Sequence, residues 1–324
     1  MDEGTRRAQL LSLKLLALVR EHRGSADGLE PGEFGAGAAL LAGSTAWVLL
    51  DRQPERGLGA AIAWARRREA SELHVLAESA TGLLARRAQQ FGLPISVWHV
   101  EGRVLLPAVA ESLPVPPPVE RAHEHWRASI VEGGALPTVE HGVLAGEVEG
   151  LEVCRVVTDA YTDEVRLEVG VGAHDREAFM MLHGNKPTVV ALADVVQAVR
   201  AHRRPGADRH PLNMLAQERA LRVRLVGEPS LIDASSVTVA EPPVPRPNLK
   251  DPVPCVALAV IAGVPTAVVC SSGVDLDLVP FAVDARAALG VADAVIVLPA
   301  RDAIDAQRRL AALATPPIGI VTVD

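Results

Sequence analysis

Two aspartates, Asp275 and Asp277, follow Ser271-Ser272-Gly273 where an apolar run gives way to a helical one. Carboxylates at a strand end, before a helix start, are placed to hold a divalent metal, or to act as a turn residue and a helix cap. His174-Asp175-Arg176-Glu177 stands after the run EVRLEVGVG. There an imidazole beside carboxylates suits proton transfer or metal binding, and a solvated helix start explains it equally well. Asp275, Asp277, His174 and Asp175 are therefore the candidate metal ligands, and no organic cofactor is indicated. His123 and His125, with His141 further on, could share a zinc ion only from a strand, because residues two apart diverge on a helix. Cys270 would be a nucleophile if the following helix terminus lowered its pKa, and is otherwise a small residue ending a strand. No GxGxxG, Walker A, HExxH or GxSxG pattern occurs. Dinucleotide, P-loop, zincin and α/β-hydrolase chemistry thus lose their usual support.

Positive charge is carried by arginine. Of 32 basic residues, only Lys14, Lys186 and Lys250 are lysines, a skew expected of a GC-rich, actinobacterial-like genome. Arginines cluster at Arg66-Arg67-Arg68, Arg86-Arg87, Arg203-Arg204, Arg219-Arg222-Arg224 and Arg308-Arg309. On the outer side of helices such as LLARRAQQF, neighbouring guanidinium groups could grip phosphates, or serve solubility alone. Arg86, Arg87, Arg308 and Arg309 are the candidate nucleic-acid contacts. A net charge of −8 and a pI near 5.7 argue against a dominant basic face and leave only local patches. A protein partner or a second copy of the chain is the other class of partner. No apolar run approaches the ~20 residues that span a bilayer, so no membrane association is expected. The first segment carries Lys14 and Arg20 inside its apolar stretch and reads as a helix, not a signal peptide. Three cysteines without a CxxC pair fit a reducing compartment, so a cytoplasmic location is expected.

The elements that must position these groups alternate. Leucines 10, 11, 13, 15, 16 and 18 give a first helix, ended by Gly24. The stretch AALLAGSTAWVLLD is a hairpin around Gly43-Ser44. GLGAAIAWARRR, ELHVLAE, TGLLARRAQQF and ISVWHVEGRVLL then read as helix, strand, helix, strand. The last third repeats the order: LNMLAQERALRVRLV, a hairpin of CVALAV and TAVVCSS around Ala262-Gly263, DLVPFAVDARAAL, DAVIVLP, AIDAQRRLAALA and IGIVTV. Ala42-Gly43 aligns with Ala262-Gly263, Thr45-Ala46 with Thr266-Ala267, Arg86-Arg87 with Arg308-Arg309 and Pro94-Ile95 with Pro317-Ile318. An internal duplication is expected. The fold class is α/β, with two similar units flanking a small α/β middle domain. The boundaries read 1–106 for the first copy, 107–119 for a Pro-rich linker, 120–208 for the middle domain and 209–324 for the second copy. The middle offers a helix at HEHWRASI, strands in GEVEGLEVCRVV and EVRLEVGVG, and a helix at ALADVVQAVRAHRR.

The order helix, hairpin, helix, strand, helix, strand, with DAVIVLP before a helix and IGIVTV after it, resembles the core of restriction-endonuclease-like proteins, the PD-(D/E)XK superfamily. That resemblance implies a divalent metal held by an acid near the hairpin's start and an acid-x-Lys on its last strand. The corresponding runs are Thr45-Ala46-Trp47-Val48-Leu49-Leu50-Asp51 and Thr266-Ala267-Val268-Val269-Cys270-Ser271-Ser272. Neither holds acid-x-Lys, so both copies look catalytically degenerate and the family's metal site transfers to no residue. The expected function is a non-enzymatic binding or scaffold protein, in contact with nucleic acid through local arginines. The rival is an enzyme or small-ligand sensor with a pocket between the copies and the middle domain, using Asp275, Asp277, His174 or Asp175.

Overall fold

The computed structural model describes residues 3–172, 175–176, 186–204, 210–245 and 253–324. The chain forms two compact units, Met1–Leu113 with Gly273–Asp324, and Pro114–Ser272. It leaves the first unit inside the expected Pro-rich boundary and returns at Gly273.

In the first unit, helix α1 (Glu3–Arg23) buries only Leu15, Leu18 and Val19, a stripe set by the i, i+3, i+4 spacing, while Leu10 and Leu13 stay exposed. The stripe packs on strands β2 (Gly37–Ala42) and β3 (Thr45–Leu50), joined by a two-residue turn with Gly43 at φ +65. Helix α2 (Leu58–Arg67), strand β4 (Glu72–Ala77), helix α3 (Thr81–Ala88) and strand β5 (Ile95–Glu101) follow. The strand β1 (Leu29–Gly32) precedes the hairpin, and β6 (Val104–Pro107) follows β5. The sheet order is β1-β2-β3-β4-β5-β6, with β3, β4 and β5 parallel and the outer pairings antiparallel. Central strands such as AWVLL are apolar at every position because both faces are covered. Trp47 and Leu49 face α1, and Ala46, Val48 and Leu50 the other side. Two details differ from the sequence reading. The hairpin gains a third strand at Leu-Glu-Pro-Gly, an edge where proline costs no ladder bond. The run ISVWHVEGRVLL turns at Gly102, φ +62, and splits into β5 and β6.

The returning segment adds to the same unit a helix, α8 (Leu278–Ala288), strand β14 (Asp293–Leu298), helix α9 (Asp305–Ala312) and strand β15 (Gly319–Thr322). Its geometry repeats that of α2 to β5. The α2 cap donates from the amides of Arg68, Glu69 and Ala70 to the carbonyls of Trp64, Arg66 and Ala65. The α8 cap does so from Leu289, Gly290 and Val291 to Ala285, Ala287 and Arg286. Glu69 and Gly290 both adopt positive φ, at 56 and 64, the left-handed residue that ends a helix. The pairs His74↔Ser96 and Ala77↔His99 of β4–β5 recur as Val295↔Gly319 and Leu298↔Thr322 of β14–β15.

The two halves also meet. Phe91 and Ala314 form an antiparallel bridge in which Gly92 N donates to Leu313 O (2.9 Å) and Thr315 N to Gln90 O (2.8 Å). Gln90 corresponds to Leu313, Phe91 to Ala314 and Gly92 to Thr315, so each hydrogen bond is the other's image. Helix α2 packs on α8 and α9, and α3 on α8, which are the contacts a local twofold axis requires. This register corrects one alignment: Arg86 corresponds to Arg309, and Arg87 to Leu310.

In the second unit, the strands β7 (Leu136–Glu140), β8 (Val143–Val148), β9 (Leu151–Thr158) and β10 (Val165–Val169) form an antiparallel sheet in the order β10-β9-β8-β7. Short helices α4 (Arg121–Glu124) and α5 (Arg127–Glu132) lie at the expected HEHWRASI, and α6 (Thr188–His202) follows later. Ile130, Leu192, Val196 and Val199 close the core over Leu144, Leu151 and Val153. Helix α7 (Gln217–Gly227) precedes a three-stranded antiparallel meander, β11 (Ala234–Ala240), β12 (Cys255–Ile261) and β13 (Val264–Cys270). The order helix, three-stranded meander, helix, strand, helix, strand thus occurs twice along the chain. Among the described residues, no helix is long and apolar enough to cross a membrane.

Candidate functional site

Of the expected acidic pair, Asp275 is bound by Arg56 (Nη2 to Oδ2, 2.6 Å), and its Oδ1 accepts the amide of Asp277 at 2.9 Å, as a turn residue does. Asp277 stands at the N-cap position of α8 but makes no side-chain bond to its own helix. Its Oδ1 accepts the Gly59 amide of α2 (3.2 Å), and its Oδ2 accepts Arg87 Nη1 (2.9 Å). The carboxylates are committed to arginines and amides. Burial pushes the Asp277 carboxyl up to about 7, with Arg87 acting against burial and Asp275 adding to it. A Cβ on Gly59 would meet the Leu276 carbonyl oxygen at 2.1 Å, so only glycine lets α2 approach this loop.

The doublet Arg86-Arg87 faces inward, not outward as expected. Arg87 is 3% exposed and donates from Nε to Asp284 Oδ2 (2.7 Å) and from Nη1 to Asp277 and the Glu55 carbonyl. Arg86 grips Asp284 through Nε (3.0 Å) and Nη2 (3.1 Å), and reaches Glu111 Oε1 (3.1 Å) and the Ser112 carbonyl with Nη1. The cause is Asp284, a carboxylate at 2% exposure inside the mostly apolar helix LVPFAVDARAA, which requires paired cations because the helix's own Arg286 donates to the Thr315 and Pro316 carbonyls. Sequence reasoning passed over Asp284. Its signal was an acid on a helix too apolar to leave it a solvated side.

Arg308 and Arg309 remain exposed. Arg308 only reaches the Ile320 carbonyl, at 3.5 Å. Around Arg309 lies a cavity of about 880 Å³, lined by Phe34, Ala60, Ala63, Trp64, Leu276, Leu310 and Leu313, with Glu33, Arg66, Arg67, Asp305 and Arg309 as its charged groups. Trp64 is fixed there by an Nε1 bond to the Glu33 carbonyl (2.9 Å). All lining residues belong to the first unit, and none to the middle domain that the rival reading invoked.

The remaining candidates do not converge. His174 lies outside the described residues, and Asp175 is exposed. His123 is buried against Thr158 (Nε2 to Oγ1, 2.8 Å), His125 is exposed, and His141 holds Glu241 by its backbone amide. Among the described residues, no three His, Cys, Asp or Glu side chains are grouped to hold a metal. Cys270 is buried opposite Cys255 on the β12–β13 ladder; its hydrogen bond with Cys255 and burial raise its thiol well above the usual range, so it is no ready nucleophile. Two further arginine clusters are internal supports. Arg219 and Arg222, one turn apart on α7, are buried on Glu140 and Glu147 of β7 and β8, and Arg203 binds the carbonyls of Glu149, Leu212 and Leu215. Comparison of the chain with protein-family models, with the curated proteins and with the solved structures finds no match.

Proposed function

We propose that the protein is a non-enzymatic binding or scaffold protein, formed by duplication of one restriction-endonuclease-like α/β unit that has lost its catalytic pair. The observation that carries the reading is the reciprocal bridge at Phe91 and Ala314, which pairs a residue with its own counterpart. On this reading the two halves associate as a dimer within one chain, an arrangement that creates clefts between helices whatever chemistry the strands retain. The last hairpin strands, β3 and β13, lack the acid-x-Lys pair, and Asp275 and Asp277 are held by Arg56, Arg87 and backbone amides. Nucleic acid, if engaged, would meet the exposed Arg308 and Arg309 rather than the buried Arg86 and Arg87. The test is incubation of the purified protein with DNA or RNA and Mg²⁺ or Mn²⁺. No cleavage above background is expected, and cleavage abolished by Asp275→Asn or Asp277→Asn would overturn the reading. Retention on heparin at low salt, lost with Arg308→Ser and Arg309→Ser together, would assign the nucleic-acid contact; no retention would remove it.

A further inference from the structure

The local twofold makes the cavity and the buried arginine cluster counterparts. Across one interface, α3 presents Arg86 and Arg87 to Asp284 of α8. Across the other, α9 presents Arg309 and Leu310 to Ala63 of α2, the position that the helix caps and strand registers match to Asp284. All three of these counterparts line the cavity. One interface is filled by ion pairs. In its counterpart the aspartate is alanine and one arginine is leucine, and the space stands open with no carboxylate of the described residues paired to Arg309. Its charged lining is three arginines against Glu33 and Asp305, a net positive site over an apolar floor.

We propose that this cavity binds a small organic acid, an apolar body carrying one carboxylate, with Arg309 receiving the carboxylate in the place that Asp284 occupies for Arg86. The volume is in the range of small-molecule sites, which are mostly apolar with a few orienting polar groups. Guanidinium suits the task because its planar fork takes a carboxylate bidentately, as Arg86 takes Asp284. Trp64, Leu310, Leu313 and Phe34 supply the apolar contact. This inference rests on the binding reading above, but not on the nuclease-like ancestry.

The test uses the full chain with naphthylacetate and its neutral counterpart naphthylethanol as probes, titrated calorimetrically. Naphthylacetate is expected to bind at least about tenfold more tightly, the preference a hydrogen bond to a charged group provides. Arg309→Met, at an exposed position, should make the two probes equal. Ala63→Asp, which gives Arg309 an internal carboxylate, should weaken naphthylacetate by about tenfold or more while the folded signal in near-ultraviolet circular dichroism persists. Saturable binding of neither probe would overturn the site. Equal affinity in the unmodified protein, or a preference that survives Arg309→Met, would overturn the role of Arg309. Metal-dependent nucleic-acid cleavage would overturn the non-enzymatic reading and leave this result unchanged, so the two failures are distinguishable.

Discussion

Replacing Asp284 by alanine removes the carboxylate that holds both Arg86 and Arg87. Two guanidinium groups then lose a shared buried partner. Arg87 keeps Asp277 and the Glu55 carbonyl, and Arg86 keeps Glu111, so neither is left wholly uncompensated. Breaking a buried pair by removing one partner costs about 3–5 kcal/mol, and the surviving bonds place this change at the lower end, about 3 kcal/mol. At about 2–4 °C per kcal/mol for a unit of this size, thermal unfolding followed by circular dichroism should shift down by roughly 6–12 °C. The second arm of the experiment adds Arg87→Leu, which copies the Leu310 side of the twofold. Because both changes break the same Arg87–Asp284 pair, the double variant should lose less than the sum of the two single losses, a coupling of at least about 1 kcal/mol in the double-mutant cycle. A loss within about 0.5 kcal/mol for Asp284→Ala, the behaviour of an exposed surface residue, would refute the assignment of this cluster as a buried support.

Gly59→Ala should destabilise the first unit by about 1–3 kcal/mol in denaturant unfolding, since its Cβ would overlap the Leu276 carbonyl; an unchanged midpoint would place α2 elsewhere. The raised Asp277 carboxyl has a definite sign. It keeps its proton in the fold up to about pH 7, whereas in the unfolded chain it ionises above about 4, so the fold binds more protons in that window. Its contribution to stability is therefore full below the unfolded value and declines as pH rises from about 4 to about 7. Asp277→Asn, neutral throughout, should gain on the unmodified protein over that interval, and a stability difference that does not change with pH would exclude the raised value.

The alternation of helices and strands was legible because apolar runs flanked by turn residues are local signals, and the hairpins at Gly43-Ser44 and Ala262-Gly263 fall where such signals placed them. The edge strands were not legible. Leu-Glu-Pro-Gly of β1 has too little apolar content, and Ala234–Ala240 buries only Val237, so their strand character comes from the strands they pair with rather than from their own residues. The arginines were misread for a related reason. Arg86, Arg87, Arg219 and Arg222 carry charge like solvated residues, and only the carboxylates at Asp284, Asp277, Glu140 and Glu147 draw them inside. The cavity was beyond sequence reading, since its lining joins residues of Glu33–Arg67 with residues of Leu276–Leu313, far apart in the chain.

The pairing of the two halves is tested most directly by a cross-link at the axis. Phe91→Cys and Ala314→Cys, introduced together, would place thiols on directly opposed residues of an antiparallel bridge, within the roughly 4.4–6.8 Å between Cα atoms that a disulfide spans. The native Cys154, Cys255 and Cys270 are buried and leave the reaction to the new pair. Mild oxidation should close a loop between positions 91 and 314 in nearly every folded molecule, visible as faster migration under non-reducing denaturing electrophoresis and reversed by reductant. Phe91→Cys combined with Ala306→Cys, away from the bridge, should remain open. A Phe91→Cys, Ala314→Cys chain that stays folded and reduced under the same oxidation would contradict the paired halves, and with them the matched interfaces on which the cavity's role depends.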